Sequence, residues 1–267
     1  MRPSGIVTIM TDFGTSDGYV AAMKGVLLTM YPEVVIVDIS HHIPSHDIVA
    51  GAFVLASAAA HFPVGTVHVA VVDPGVGSDR AALVIRTNRE WFVAPDNGLL
   101  SRALDLGSRA MEIVSIDEVP GYSASRSATF HGRDIFAPAA AYLARGDDMG
   151  DLGDRLAELV SLPLPEIKVE QGMVRGEVVH IDAFGNAITN IVSSDLSGCG
   201  QKMRFEVGGV EIHGLVTCYA DVPRGTVCAL LGSGDSLEIS LVEGSAAGQL
   251  GLRRGDEVRC HFAPRSE

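Results

Sequence analysis

Asp73, Arg80 and His131 are the residues of this chain on which chemistry could be built. Asp73 ends an apolar run, Val67 to Val72, and Pro74-Gly-Val-Gly-Ser-Asp79 leads from it to Arg80. An apolar run stopping abruptly in Asp-Pro-Gly is how a buried parallel strand ends at the functional edge of an α/β sheet. His131 lies in a separate Gly-flanked turn, Thr129-Phe-His-Gly-Arg-Asp134. A permanently charged guanidinium can hold an anion or lower the pKa of a bound water. A carboxylate and an imidazole can orient that water or take its proton. Together the three point to activation of water against a small molecule. Each also has a plainer reading. Asp73 and Arg80 could flank an ordinary tight turn closed by a salt bridge, and a lone histidine is commonly structural.

Other candidates sit where strands should end. Asp12, in Thr11-Asp-Phe-Gly14, could accept hydrogen bonds from a ribose diol, or close an Asx-turn or cap a helix. Asp17 is placed to cap a helix starting at Tyr19, or to bind an ammonium group. His41, His42 and His46 look superficially like a metal cluster. The absence of HExxH-type spacing favours polar loop residues at a sheet edge, and no metal is expected. In the C-terminal part, His180-Ile-Asp-Ala-Phe-Gly-Asn-Ala-Ile-Thr-Asn190 breaks a β-run at Asp182 and turns at Gly185-Asn186. Asn186 could read an adenine edge with its paired donor and acceptor, and Phe184 could stack on a base or fill the core. A bulged hairpin would explain the same spacing. The Gly232-Ser-Gly-Asp-Ser236 turn could offer backbone groups to a ligand or simply join two strands.

The elements that must position these residues follow from periodicity and punctuation. Strand-like Ile6 to Met10, helical Tyr19 to Met30, strand-like Val34 to Ile39, helical Asp47 to His61 and strand-like Val67 to Val72 form a βαβαβ series, the pattern of a parallel sheet. Leu83 to Thr87 and Trp91 to Ala94 read as a hairpin. Leu99 to Leu106 and Asp134 to Ala144 read as helices, and Glu112 to Ile116 as a strand. Composition changes at Ser161-Leu-Pro-Leu-Pro165, where two prolines favour an extended linker. Beyond it lie seven short strand-like runs: 173–181, 187–191, 203–207, 210–216, 226–231, 236–241 and 257–262. Gly-rich turns separate them, suggesting a small barrel or sandwich. The expected architecture is an α/β parallel-sheet domain over 1–160, a linker over 161–168 and an all-β domain over 169–267.

Composition limits the function classes. Of 267 residues 47% are hydrophobic, which excludes a disordered chain. The net charge of −13 argues against nucleic acid as a partner. Cys199, Cys218, Cys228 and Cys260 form no CxxC pair, so zinc spacing is absent and reduced thiols are expected. No signal-peptide layout and no membrane-spanning apolar run is visible, so the expectation is a cytoplasmic protein with no membrane partner. GxSxG is absent, which disfavours a serine hydrolase, and the GxGxxG fingerprint of dinucleotide oxidoreductases is missing.

Several unrelated strings, in one order over nearly the whole chain, resemble the S-adenosylmethionine hydroxide adenosyltransferase family (DUF62), itself related to SAM-dependent fluorinases and chlorinases. They are Thr11-Asp-Phe-Gly14, Val37-Asp-Ile-Ser-His41, Val72-Asp-Pro-Gly-Val-Gly77, Ala94-Pro-Asp-Asn-Gly-Leu99, Phe130-His-Gly-Arg-Asp134, Asp182-Ala-Phe-Gly-Asn186 and Leu237-Glu-Ile. The resemblance implies a Rossmann-like N-terminal domain, a C-terminal β-barrel, and a homotrimer with active sites between neighbouring subunits. It implies hydrolysis of S-adenosylmethionine, without a cofactor, to adenosine and L-methionine. It places the water-activating set on Asp73, Arg80 and His131 and the ribose acid on Asp12. The methionine end falls to Asp17, Asp182 and Ser233, and the adenine to Phe184, Asn186 and backbone near Glu243. The similar halogenases carry a tyrosine at the position of Asp73, lack the histidine at 131, and have an insertion after the third strand where Leu83 to Pro95 is compact here. They also carry a tryptophan where this chain has His46, and a Ser-Arg pair where it has Ser233-Gly234. The alternatives are a halogenase and a non-catalytic adenosine- or SAM-binding protein, which would not need the water-activating set.

Overall fold

The computed structural model describes residues 1–105, 109–163, 165–170 and 172–264. The chain divides into two compact units, Met1–Leu162 and Pro163–Glu267. The division falls inside the Pro-rich segment, but little of that segment hangs free. Leu162 N–H donates to Ser101 Oγ at 2.9 Å, and the Pro165 carbonyl accepts from Asn190 Nδ2 at 2.9 Å. A short strand begins at Lys168, inside the span expected to be linker.

The first unit runs β1 (Ile6–Thr11), α1 (Tyr19–Met30), β2 (Val35–Ser40), α2 (Ile48–Ala59), β3 (Val67–Val71), β4 (Ala82–Arg86), β5 (Trp91–Pro95), α3 (Ser101–Asp105), β6 (Glu112–Ser115), a π-helical turn over Gly132–Phe136, and α4 (Ala137–Ala144). Its six-stranded sheet has the order β2-β1-β3-β5-β4-β6. β2, β1, β3 and β5 are parallel, whereas β4 runs antiparallel to both β5 and β6. The sheet is therefore mixed, and the expectation of a purely parallel one is corrected. The β4–β5 hairpin expected around Asn88 is the cause, because a short turn can only reverse a strand.

The period of two in each strand decides which side chains enter which layer. Val7, Ile9, Val67, Val69 and Val71 pack with Met23 and Leu27 of α1 and with α4. Met10, Ala70, Val72, Phe92 and Ala94 pack on the other face with Leu55 and Ala56 of α2. Helix α4 is buried on every side, which its alanines permit. Asp47 caps α2 by accepting from Ala50 N–H at 3.0 Å. Asp17 does not cap α1: the cap position is Gly18, with no side-chain bond. The helix expected over 99–106 is shorter, and Leu106 lies outside the described residues. No helix among the described residues is long and apolar enough to cross a membrane.

The second unit is an antiparallel sheet of β7 (Lys168–Glu170), β8 (Met173–Ile181), β9 (Ala187–Val192), β10 (Cys199–Val207), β11 (Val210–His213), β12 (Val227–Leu231), β13 (Ser236–Leu241) and β14 (Glu257–Pro264). Helices α5 (Ser193–Leu196) and α6 (Ala246–Leu250) are single turns. The strand order is β11-β10-β14-β8-β9-β13-β12, with β7 on β8. The two end strands approach each other, and a bridge joins Val216 to Leu230. The sheet is thus a nearly closed barrel around Val178, Phe205, Ala229, Leu237, Ile239 and Val258. Cys199, Cys228 and Cys260 are buried free thiols, and Cys218 is exposed.

A fully buried histidine sits in the first sheet. His68 of β3 has its Nδ1 2.8 Å from Thr8 Oγ1 and stacks on Phe92 with ring centroids 5.2 Å apart. Burial lowers its pKa from 6.5 to about 4. Between those values the unfolded chain binds a proton that the folded chain does not. Stability should therefore fall by about 1.4 kcal/mol per pH unit as pH drops from about 6.5 towards about 4, about 3 kcal/mol in all. Urea unfolding across this range should show a shallower pH slope for His68→Gln than for the unmodified protein. Equal slopes would refute the assignment.

Candidate active site

β1 and β3 are adjacent, and Thr11 pairs in register with Val71. Asp12 and Asp73 therefore leave neighbouring parallel strands at the same edge of the sheet. α1 carries the chain from β1 to β2 on one side, and α2 carries it back past β1 to β3 on the other. This is a point where strand order reverses, the usual ligand crevice of an open α/β sheet. Asn97 fixes the end of β3: its Nδ2 donates to the Val72 carbonyl at 2.8 Å, while its Oδ1 accepts from Leu99 N–H at 3.2 Å. The sequence marks Asn97 only as a turn residue.

The structure brings Asp73, Arg80 and His131 into direct contact. Arg80 Nε donates to Asp73 Oδ1 at 2.9 Å, and Arg80 Nη2 makes a short contact with Asp73 Oδ2. The same Nη2 lies 2.7 Å from His131 Nδ1. The Asp73 and Arg80 side chains are only 5% and 10% exposed, so this is a largely desolvated pair. The Phe136 ring lies 5.4 Å from the guanidinium. A guanidinium can only donate, so His131 Nδ1 accepts and its ring proton is on Nε2. Burial first, and then the Arg80 charge, hold the His131 pKa below its usual 6.5, with Asp73 acting in the opposite direction. The set therefore presents a neutral imidazole beside a carboxylate whose charge is already paired.

Two loops must meet for this contact to exist. Gly77 has φ +79°, and a Cβ there would stand 2.4 Å from the Ala128 carbonyl oxygen. Only glycine lets the 73–80 turn lie this close to the loop carrying His131. That second loop is held by Asp134, which is 2% exposed. Its carboxylate accepts from Ser127 N–H at 2.8 Å and from Arg133 Nε at 2.6 Å. Asp134 reads in the sequence only as a helix start, and its buried side chain reveals the positioning role. The π-helical turn after His131 widens the helix entrance, a feature often found beside functional sites.

Asp12 has a 7% exposed side chain, and its Oδ2 accepts from His46 N–H at 2.8 Å. His46 adopts left-handed φ +66° and turns its ring outward, 71% exposed. Asp17 is exposed in the turn before α1. His41 is buried against Thr11, so the three loop histidines go separate ways. Among the described residues no group of three or more His, Cys, Asp or Glu converges as a metal site.

The second unit gathers another group. Asp182 organises the 182–186 turn by accepting from Phe184 N–H, Asn186 N–H and Asn186 Nδ2, each at 2.9 Å. Gly185 is obligatory, because a Cβ would fall 2.0 Å from Ser245 Oγ. The turn leaves the Phe184 ring 78% exposed, unusual for so apolar a side chain. Phe184, Asn186, Tyr219 and Glu243 line a cavity of about 660 Å³, within the range of small-molecule sites. Tyr219, which carries no motif, enters through its position before β12 and donates its hydroxyl to Glu238 at 3.2 Å. Ser233 is exposed in the β12–β13 turn and does not line this cavity.

The family models for the SAM hydroxide adenosyltransferase N-terminal and C-terminal domains match residues 7–153 and 176–259. A Thermus thermophilus protein named (R)-S-adenosyl-L-methionine hydrolase is 40% identical, covering 97% of this chain and 99% of its own. A Salinispora tropica protein of the same name is 37% identical, covering 97% and 98%. Proteins named fluorinase match less closely, at 30% identity. Among solved structures, an uncharacterized conserved protein from Thermotoga maritima matches with a TM-score of 0.89 and 35% identity, covering 96% of this chain and 99% of that one.

The geometry dictates how His131 should titrate. Its NMR titration midpoint should lie below 6.5. Arg80→Gln should raise it by removing a neighbouring cation, and Asp73→Asn should lower it further by removing the compensating anion. A midpoint unmoved by either substitution would contradict the contact.

Proposed function

Because the chain belongs to the SAM hydroxide adenosyltransferase family, we propose that it hydrolyses S-adenosylmethionine to adenosine and L-methionine by displacement at the ribose C5′. The observation that carries this reading is the buried contact among Asp73, Arg80 and His131. The water oxygen forms a bond to C5′, the C5′–S bond breaks, and its electron pair returns to sulfur as neutral methionine. The water gives up one proton. Sulfonium is already a good leaving group, so neither acid nor metal is needed to release it. The protein's task is to hold and polarise water in line with that bond. Arg80 favours hydroxide character. The Nε2–H of His131 can orient the water oxygen. The Asp73 carboxylate keeps lone pairs beyond those used by Arg80, and these can accept a water hydrogen.

Asp12 is assigned to the ribose diol, consistent with its place at the crevice where strand order reverses. A Rossmann-like character for the first unit agrees with that placement. In the second unit the exposed Phe184 ring suits stacking on adenine. Asn186 spends one Nδ2 hydrogen on Asp182 and keeps its carbonyl oxygen to accept from an adenine amine, with backbone near Glu243 alongside. Asp17, Asp182 and Ser233 are assigned to the methionine end on family resemblance. The same resemblance supports a homotrimer, which light scattering would report as three chain masses.

The lone pairs that Asp73 keeps can accept a hydrogen from water but none from a halide, which favours water over chloride or fluoride as nucleophile. The test is incubation with each sulfonium epimer of the substrate separately, since the relatives' names specify the R form, with chloride or fluoride in parallel samples and EDTA present. Equal adenosine and methionine, with no 5′-halo-adenosine, is the expected outcome. Halogenated nucleoside would overturn the reading of Asp73, and binding without turnover would leave a non-catalytic binding protein. Asp73→Asn, Arg80→Ala and His131→Ala should each lower turnover about 100-fold or more while adenosine affinity changes little. Phe184→Ala should weaken adenosine binding about tenfold, at unchanged thermal stability, because its ring is already exposed.

A further inference from the structure

A chain of polar contacts leads from the surface of α1 to the turn that carries Asp12. Lys24 Nζ lies 2.6 Å from Asp38 Oδ2. Asp38 Oδ1 lies 3.1 Å from His41 Nε2, skewed off the ring N–H axis, so this is an electrostatic contact rather than a straight hydrogen bond. On its other side His41 Nδ1 lies 2.9 Å from Thr11 Oγ1. Thr11 Oγ1 in turn accepts from Phe13 N–H at 3.2 Å, closing a turn across Asp12. His41 is 5% exposed and Thr11 fully buried, so the inner contact of this chain is not a surface accident, whereas Lys24 and Asp38 lie at its exposed end.

The chemistry of these groups fixes the direction of each contact. A carboxylate next to Nε2 favours the tautomer with its proton there. Nδ1 is then a lone-pair acceptor, and the Thr11 hydroxyl donates to it. That sets the Thr11 rotamer so that an oxygen lone pair faces Phe13 N–H. The His41 backbone adds a second tie, its carbonyl accepting from Gly14 N–H at 2.7 Å. β2 carries an irregularity beside it: Ile9 pairs with Asp38 but Met10 pairs with Ser40. The offset shifts the end of β2 by one residue against β1, the kind of adjustment that re-aims side chains near sites.

We propose that His41, oriented by Asp38, is a positioning residue that holds the Thr11–Gly14 turn so that the Asp12 carboxylate faces the ribose diol. The inference rests on the assignment of Asp12 to that diol. His41 touches no ligand in this scheme. Its effect passes through the Thr11 hydroxyl, so its loss lowers affinity for the sugar and spares the water-activating set.

Calorimetric binding of adenosine and of 2′,3′-dideoxyadenosine to the full-length protein separates the possibilities. His41→Ala should weaken adenosine about tenfold, the scale of one hydrogen bond to a charged group, and change dideoxyadenosine less than about twofold. In turnover assays KM should rise while kcat stays within about threefold, a split that general loss of structure would not produce. Asp12→Asn serves as the benchmark. Should His41→Ala fail to fold, Asp38→Ala, at the exposed end of the relay, carries the test and should show the same selectivity at about threefold. If Asp12→Asn discriminates the two nucleosides and the His41 and Asp38 variants do not, the positioning role is overturned. If Asp12→Asn itself does not discriminate, the ribose assignment fails and this inference falls with it.

Discussion

One guanidinium, that of Arg80, is shared between a carboxylate at the end of a strand and an imidazole on another loop, and the two loops that carry the candidate site are organised around it. Asp73 and Arg80 are almost free of solvent. A buried charge without a partner is strongly destabilising, so each holds the other in place. The pairing also dictates the state of His131, whose Nδ1 has only a donor to meet. A neutral imidazole with an outward Nε2–H is therefore a consequence of charge burial and needs no separate arrangement. The glycine at 77 and the carboxylate at 134 exist, in this light, to bring two loops within reach of one side chain.

The sheet supplies the rest of the geometry. Parallel strands β1 and β3 end side by side because they pair in register, and since their connections leave in opposite directions the two acids emerge into a gap. Apolar alternation secures the strands on both faces, so the polar groups that remain inside them are few and each has a structural reason. Thr8 and His68 pair within the layer, and Thr11 and His41 pair at its edge. The first pair serves packing. The second lies against the turn that aims Asp12, which is why it can matter to a ligand.

The second unit solves a different problem. An antiparallel sheet that nearly closes has few free edges, and Phe184, Asn186 and Glu243, which line its cavity, sit on turns. Asp182 spends most of its hydrogen-bonding capacity on the turn that presents Phe184 and Asn186. The expected bulged hairpin and the expected adenine contact are thus compatible, since the carboxylate that shapes the turn also orients the amide.

Much of this was legible from residue order. Strand ends announced themselves as apolar runs broken by Asp, Pro or Gly, and that alone located Asp12, Asp73 and Asp182. The hairpin around Asn88 is also readable, and the mixed sheet follows from β4 pairing antiparallel with both β5 and β6. Asn97, Asp134, Thr11, His41 and Tyr219 carry no such local signal, because each acts through a partner 7 to 30 residues away, as Asp134 does with Ser127 and Tyr219 with Glu238. Asp17 fits a helix cap by spacing, yet the chain enters α1 through Gly18 instead. The sequence by itself singled out the candidate residues and set Asp12 and Asp73 at the ends of strands, since periodicity and turn propensity are local properties. Tertiary structure alone decided which of them touch, which nitrogen of His131 holds its proton and which acids are spent on holding turns. Those outcomes depend on burial and on contacts across the chain, where desolvation makes every unpaired polar atom costly and so selects the partners.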